Sequence, residues 1–226
     1  MNKLTSKTTH CIYIFCCLLV ISCAQNSNSV PSSYSTIFGL IGESLFKEED
    51  TINAEVVDSI PYASALINFK KSSKSLLILE SKQDETYKWV SSDSRVFYTK
   101  NGRVVGTMGL PNDLYKIIRP NISFKEILNK SAPMDYVAYY SFKKPNLNDL
   151  KVKISVEIIG NEIINILKEE KNLILIEESL VSKRINWKRT NKFWIDPNNY
   201  FIWKSEQNIS PKLPMITFEI TKKPAI

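Results

Sequence analysis

From Tyr62 onwards apolar and polar residues alternate with a period of two, the pattern of strands that bury one face and wet the other. Turn signals, the first at Lys70 to Lys74, separate the runs Tyr62 to Phe69, Ser75 to Ser81, Tyr87 to Ser91, Arg95 to Lys100 and Arg103 to Thr107. Asn101-Gly102, between the last two runs, is the strongest short hairpin signal in the chain. Residues 108 to 132 then break the alternation with Gly109, Pro111 and Pro120, and Pro133 follows. Within that stretch Ser123 has Glu126 three residues on, with Phe124, Ile127 and Leu128 apolar, which predicts a brief capped helix over Ser123 to Asn129. The interruption marks a seam, near 108–133, between two β-rich halves.

The second half is cleaner. Leu150, Val152, Ile154, Val156 and Ile158 point to one side of a strand, and Lys151, Lys153, Ser155 and Glu157 to the other. Gly160-Asn161 is expected to turn the chain into Glu162 to Glu169. Leu173 to Glu178, Ile185 to Ile195, Tyr200 to Gln207 and Met215 to Thr221 continue as strands, with Pro197-Asn198-Asn199 as a turn and Ile216, Phe218 and Ile220 on one face of the last. Upstream, Ile37, Leu40, Ile41 and Leu45 recur at helical spacing, so a short amphipathic helix is expected over 35–47. Long strands with two visible short helices give an all-β, mainly antiparallel fold: a large bent sheet or barrel-like β-domain over 35–226, without parallel βαβ units.

The first residues carry a different pattern. Lys3 and Lys7 precede an apolar run from Cys11 to Ile21, the layout of a secretory signal, and the run is too short to span a bilayer. Val20-Ile21-Ser22-Cys23 resembles the bacterial lipobox, which implies cleavage before Cys23 and lipidation of that cysteine, with residues 1–22 as signal peptide. Ala24 rather than Asp follows it, which by resemblance to enterobacterial sorting rules implies delivery to the outer membrane rather than retention at the inner one. The expectation is a lipid-anchored outer-membrane protein of the cell envelope, facing the periplasm, although no residue fixes which face it takes. Three acyl chains anchor far more firmly than one. Residues 23–34, rich in Ser and Asn, read as a flexible tether.

That cleavage rewrites the chemistry. The other cysteines, Cys11, Cys16 and Cys17, and the single histidine, His10, all lie in the signal, so the mature chain keeps only an acylated Cys23. Disulfides, zinc sites, thiol nucleophiles and Ser-His-Asp triads are thereby excluded. No metal and no cofactor is expected beyond the covalent N-acyl and S-diacylglycerol groups at Cys23. Losing Lys3 and Lys7 leaves 28 basic against 23 acidic residues, a net charge of +5. This suits anionic neighbours such as lipid phosphates or an acidic polysaccharide, while the scattered lysines form no nucleic-acid patch.

Several motifs occur in a telling order: Pro61-Tyr62-Ala63-Ser64, Lys88-Trp89-Val90-Ser91-Ser92-Asp93, Asn101-Gly102-Arg103, Thr107-Met108-Gly109-Leu110 with Asp113, then Phe193-Trp194-Ile195-Asp196 and Lys204-Ser205-Glu206-Gln207. Together they resemble the YjbF/GfcB-type lipoproteins, the group 4 capsule polysaccharide lipoprotein family, over most of residues 55 to 224. The resemblance implies an outer-membrane accessory of exopolysaccharide or capsule assembly or export, without established catalytic activity, whose partners are the polysaccharide or other secretion proteins. One departure is Asn199 or Tyr200 where the family turns with Gly after the Asp, a place an αL-tolerant Asn can fill.

The motif residues also have structural readings. Gly102 and Gly109 permit turns, Asp93 and Asp113 can accept backbone amide bonds, and Trp89 and Trp194 can fill a β core. A binding reading takes Trp187, Trp194 and Trp203 with Tyr139, Tyr140 and Tyr200 as faces for sugar rings, and Arg103, Arg184 and Arg189 as partners of uronate or phosphate. Two further functions stay open. One is a lipid or lipoprotein carrier with acyl chains inside a curved sheet. The other is a polysaccharide hydrolase built on Asp93 and Asp113, since adjacent pairs such as Glu177-Glu178 face opposite sides of a strand.

Overall fold

The computed structural model describes residues 54–224 apart from 71 and 131, so the signal peptide, Cys23, the tether and the expected helix over 35–47 lie outside the described residues. A short helix α1 (Ala54–Ser59) leads into twelve strands: β1 (Ser64–Phe69), β2 (Ser75–Gln83), β3 (Thr86–Ser91), β4 (Val96–Lys100), β5 (Arg103–Met108), β6 (Asp113–Ile118), β7 (Met134–Lys143), β8 (Leu147–Ile166), β9 (Glu169–Ser182), β10 (Trp187–Ile195), β11 (Ile202–Gln207) and β12 (Ile216–Lys222). A second helix, α2 (Phe124–Lys130), sits in the β6–β7 connection. Among the described residues these strands form one sheet in the order β5-β4-β3-β2-β1-β12-β11-β10-β9-β8-β7-β6, every hydrogen-bonded pair antiparallel.

The sheet curls until its two edges, β5 and β6, nearly close it into a barrel. They meet through side chains rather than a ladder. Thr107 Oγ1 on β5 accepts the Leu114 N–H of β6 (2.9 Å) and donates to Asp113 Oδ1 (3.0 Å). β6 occupies the stretch whose broken alternation hid it. Only Leu114 of this strand is fully buried, and a bulge between Leu114 and Lys116 disrupts the period.

The barrel interior is filled by Trp89, Phe97, Phe142, Phe193, Leu77 and Ile176, all under 2 % exposed. Each such side chain contributes about 1.5–3 kcal/mol by leaving water. The lumen needed by an acyl-chain carrier is therefore occupied by the protein's own core. α2 adds Phe124 and Ile127 to it, and its entry carries the expected capping box: Glu126 N–H donates to Ser123 Oγ (3.2 Å) and Ser123 N–H to Glu126 Oε2 (2.7 Å). The Ser123 N–H and, at 3.0 Å, the Ser123 hydroxyl, both donating to Glu126 Oε2, hold the exposed carboxyl below its ordinary range.

β8 corrects one expectation. Gly160 does not turn the chain; it sits in a bulge inside a 20-residue strand, with φ +141°, and the turn comes at Leu167 and Lys168. The extra residue swaps the faces. Leu150, Val152, Ile154 and Val156 pack inside the barrel, whereas Ile164 and Ile166 join Leu173, Leu175 and Trp194 in a separate cluster.

Candidate functional site

At one end of the barrel the β2–β3, β4–β5 and β10–β11 turns frame an open cleft of about 390 Å³. The β4–β5 turn is a two-residue hairpin, with Lys100 opposite Arg103 and with Asn101 and Gly102 both at positive φ (49° and 70°). This is the type I′ geometry that Asn-Gly favours. Gly102 is also sterically required, because a Cβ there would lie 2.7 Å from Ile202 Cγ1. The bare backbone of one turn thus rests on the Ile202 side chain of β11, and both line the cleft.

Gln207 fixes that contact from below. Its Nε2 donates to Gly102 O (3.0 Å) and Ser205 Oγ (2.8 Å), while its Oε1 accepts Val104 N–H (2.9 Å). A β11 side chain thereby supplies β5, an edge strand, with bonds that no neighbouring strand gives it. Beside it Arg103, 4 % exposed, sends Nε and Nη2 to Glu178 Oε1 on β9 at 2.8 and 2.6 Å, and Tyr136 OH on β7 donates to the same oxygen (3.1 Å). The guanidinium stacks 3.7 Å from the centre of the Phe124 ring. Burial, then the Glu178 charge, pushes the Tyr136 phenol up to about 12, and burial raises Tyr140 as well. Burial and the Arg103 charge lower Arg119.

The cleft walls are aromatic. Tyr87 and Trp89 come from β3, and Tyr200 and Phe201 from the β10–β11 turn. Trp89 is held by its Nε1 donating to Thr99 Oγ1 (2.9 Å). Asp196 organises the turn: Oδ1 accepts Asn198 N–H (2.9 Å), Oδ2 accepts the Asn199 amide (3.1 Å), and its own N–H donates to Phe201 O (2.8 Å). Desolvation pulls this carboxyl up, yet the bonds from Asn198, Trp203 and Asn199 outweigh it and keep it below its ordinary range. The left-handed residue is Tyr200 (φ 60°), not Asn199, a costly conformation for a bulky side chain that the Asp196 bonds sustain. Lys82 and Lys223 line the same cleft, Lys82 Nζ 5.6 Å from the Tyr87 ring and Lys223 Nζ 4.6 Å from Phe201.

Gly102, Arg103, Ser205 and Gln207 are thus brought together, with Trp89 and Asp196 shaping the cleft above them. The other sequence-selected residues lie elsewhere. Ser91, Asp93 and Arg95 form the β3–β4 turn at the opposite end: Ser91 Oγ donates to Asp93 Oδ1, and Arg95 Nε reaches Asp93 Oδ2 (3.0 Å). Asp113 accepts Thr107 Oγ1 (3.0 Å), Leu110 N–H (3.0 Å) and Gly109 N–H (3.2 Å). Both carboxylates of the hydrolase reading are therefore engaged in shaping separate turns. The aromatic group divides too: Trp187 and Tyr140 are buried against each other inside, while Trp194 donates to Glu162 Oε2 (2.7 Å) in the separate cluster. Arg103 is spent on Glu178 and not offered to an anion; Arg184 and Arg189 are exposed.

Sequence reasoning missed Glu178, Tyr136, Tyr87, Phe201 and Ile202. For Glu178 a signal existed, since the inward positions of β9 read Ile176, Glu178, Leu180 and so place one charge among core residues.

Comparison with known proteins agrees with this architecture. A protein-family description, "Group 4 capsule polysaccharide lipoprotein gfcB, YjbF", matches residues 35–221. The lipoproteins GfcB and YjbF of Escherichia coli K12 are each 21 % identical, over 198 and 199 residues, covering 84 % and 86 % of this chain and 87 % and 88 % of theirs. The crystal structure of the hypothetical lipoprotein YmcC from Escherichia coli K12 superposes with a TM-score of 0.68 at 17 % identity, covering 86 % of this chain and 96 % of that one. The chain, whose described residues form a near-barrel of twelve strands, belongs to the YjbF/GfcB group 4 capsule polysaccharide lipoprotein family.

Proposed function

We propose that this protein is an outer-membrane lipoprotein, anchored through Cys23 and facing the periplasm, that serves capsule or exopolysaccharide assembly or export by contact rather than catalysis. The observation that carries the reading is the mouth cleft. Tyr87, Tyr200 and Phe201 converge over a floor held in place by Gln207 and Trp89, and Lys82 and Lys223 add positive charge at its walls. A concave site with aromatic walls and a few polar groups is the general form of a small-ligand site, and its volume suits one or two sugar rings. Membership of the group 4 capsule polysaccharide lipoprotein family favours a glycan as its occupant.

The test is binding of envelope polysaccharide fragments to the purified protein, followed by calorimetry, with surface polysaccharide measured in cells. Tyr87→Ala should weaken binding about 2- to 10-fold, the range set by one aromatic contact. Deleting the gene should lower surface polysaccharide, and the protein should leave glycan chain length unchanged. Shortened chains after incubation with wild-type protein would overturn the non-catalytic reading. Unaltered binding in a Tyr87→Ala, Phe201→Ala double variant would remove the cleft from it.

A further inference from the structure

The opposite end of β10 carries a different surface. The β9–β10 turn, a single 3₁₀ turn over Lys183–Ile185, and the start of β10 expose Lys183, Arg184, Lys188 and Arg189, with no carboxylate between them. Strand register extends the cluster. Lys153 on β8 pairs with Val181 and Val181 with Lys188, so two lysines flank one valine on the outer face. Lys151, two residues earlier on the same face of β8, pairs with Tyr139, and Tyr139 with Ile118. None of these six cations is ion-paired among the described residues, whereas Lys192, further along β10, is paired with Glu177 (3.2 Å). The adjoining carboxylates are Asp149, two residues before Lys151, which accepts Ser141 Oγ at 3.4 Å, and the exposed Asp135, one cross-strand pair along the outer face from the Lys153–Val137 pair.

Apolar side chains stand among the charges. Ile185 at the tip of the turn is 37 % exposed, Tyr139 40 % and Ile118 47 %. The surface is the outer side of a curved sheet plus a projecting turn, with cations around an isoleucine. A convex face has no groove for a linear polymer. Its shape and charge match a flat partner with an anionic layer over an apolar one, as basic amphipathic segments match a lipid leaflet.

We infer that the β9–β10 turn and the adjoining outer face of β7 and β8 form a docking surface for the anionic headgroups of a phospholipid leaflet, with Ile185 entering the interface. This contact is independent of the mouth cleft. The β9–β10 and β10–β11 turns lie at opposite ends of β10, so docking by the basic end turns the cleft away from the lipid.

The test uses the protein purified from membranes with its natural N-terminus, carrying Ile185→Cys labelled with an environment-sensitive fluorophore and reconstituted on vesicles. With 30 % phosphatidylglycerol in phosphatidylcholine, the emission should rise at least threefold and shift to the blue; the same label at Asp84→Cys, in the cleft, should stay water-like. Half-molar salt should reverse the change. Each basic residue near such a leaflet is worth about fivefold in partitioning, so K151E, K153E and K188E together should lower the docking constant at least on the order of 100-fold. A water-like label at 185 on anionic vesicles, or an equal change on pure phosphatidylcholine, would overturn the inference. So would the same change produced by soluble polygalacturonate without vesicles, which would assign the surface to an acidic glycan.

Discussion

Replacing Glu178 by Leu should unfold the barrel far more readily than the size of one side chain suggests, and replacing Arg103 as well should repair most of the damage. The carboxylate accepts three bonds on Oε1, two from Arg103 and one from Tyr136, and the side chains of the ion pair are 5 % and 3 % exposed. At an effective dielectric of 20, charges this close attract by roughly 4 kcal/mol or somewhat more, while removing each from water costs several kcal/mol, so the intact pair contributes little net stability. Removing one partner strands the other. Glu178→Leu leaves the Arg103 charge buried and the Tyr136 hydroxyl without its acceptor; Arg103→Met leaves a carboxylate with a single phenolic donor. Each should cost about 3–5 kcal/mol. Arg103→Met in addition loses the stacking on Phe124, about 1–2 kcal/mol. The double variant, apolar at both positions, should cost under about 2 kcal/mol, a coupling of at least ~3 kcal/mol. Urea unfolding followed by circular dichroism reads these differences, and each single variant should melt about 6–20 °C lower. Singles costing under ~1 kcal/mol, or a double variant costing the sum of both, would refute the account of this pair as mutually neutralising.

The other predictions concern turns and pH. Gly102→Ala should destabilise by about 2–4 kcal/mol, from the clash with Ile202 and the φ of 70°, and Ile202→Ala should recover the steric share but not the backbone share, as thermal melts would show. Asp113→Ala removes the acceptor of three bonds around the β5–β6 connection and should cost about 1.5–3 kcal/mol; limited proteolysis should open the chain between Gly109 and Asn112. Because the folded Tyr136 phenol is raised to about 12 from an ordinary 10, its contribution is complete below pH 10 and is lost as pH climbs through 12. The loss is roughly 2–3 kcal/mol, and Tyr136→Phe should flatten the unfolding profile in that window.

How much of this was legible depended on whether a signal was local. The alternation of β8 from Leu150 to Val156, the Asn101-Gly102 hairpin and the Ser123–Glu126 capping box are set by residues within a few positions, so the local sequence is enough to show them. β6 was not legible, because an edge strand buries one face incompletely: Tyr115 and Ile118 are exposed at 60 % and 47 %, which erases the period. Gly160 looked like a turn because positive φ serves turns and bulges alike, and the choice between them is made by the partner strand β9. The tryptophans had apolar neighbours on both sides, so their direction came only from pairing. The Arg103–Glu178 contact joins residues 75 positions apart, a separation at which no periodicity speaks.

Those long-range contacts also explain why the mouth can serve as a fixed surface. An open sheet edge is ordinarily mobile, since one row of its backbone groups lacks a ladder. Here β5 is an edge, yet Val104 N–H and Gly102 O are both held by Gln207 from β11, and Arg103 is held by Glu178 from β9. The Asn101-Gly102 turn is therefore tied across the barrel interior to strands that are remote in the sheet order. Ile202 rests under the turn on one side and Tyr200 and Phe201 rise beside it, so the cleft's floor and one wall move as a unit. Pre-ordering of this kind lowers the entropy lost when a ligand is gripped, which is what the proposed contact role requires of its scaffold. Cutting the tie should then separate stability from recognition. Gln207→Leu keeps the bulk inside the barrel but removes three buried bonds, at about 1.5–3 kcal/mol, and frees the β4–β5 turn, so calorimetry well below the lowered melting point should show reduced glycan affinity while the protein is still folded.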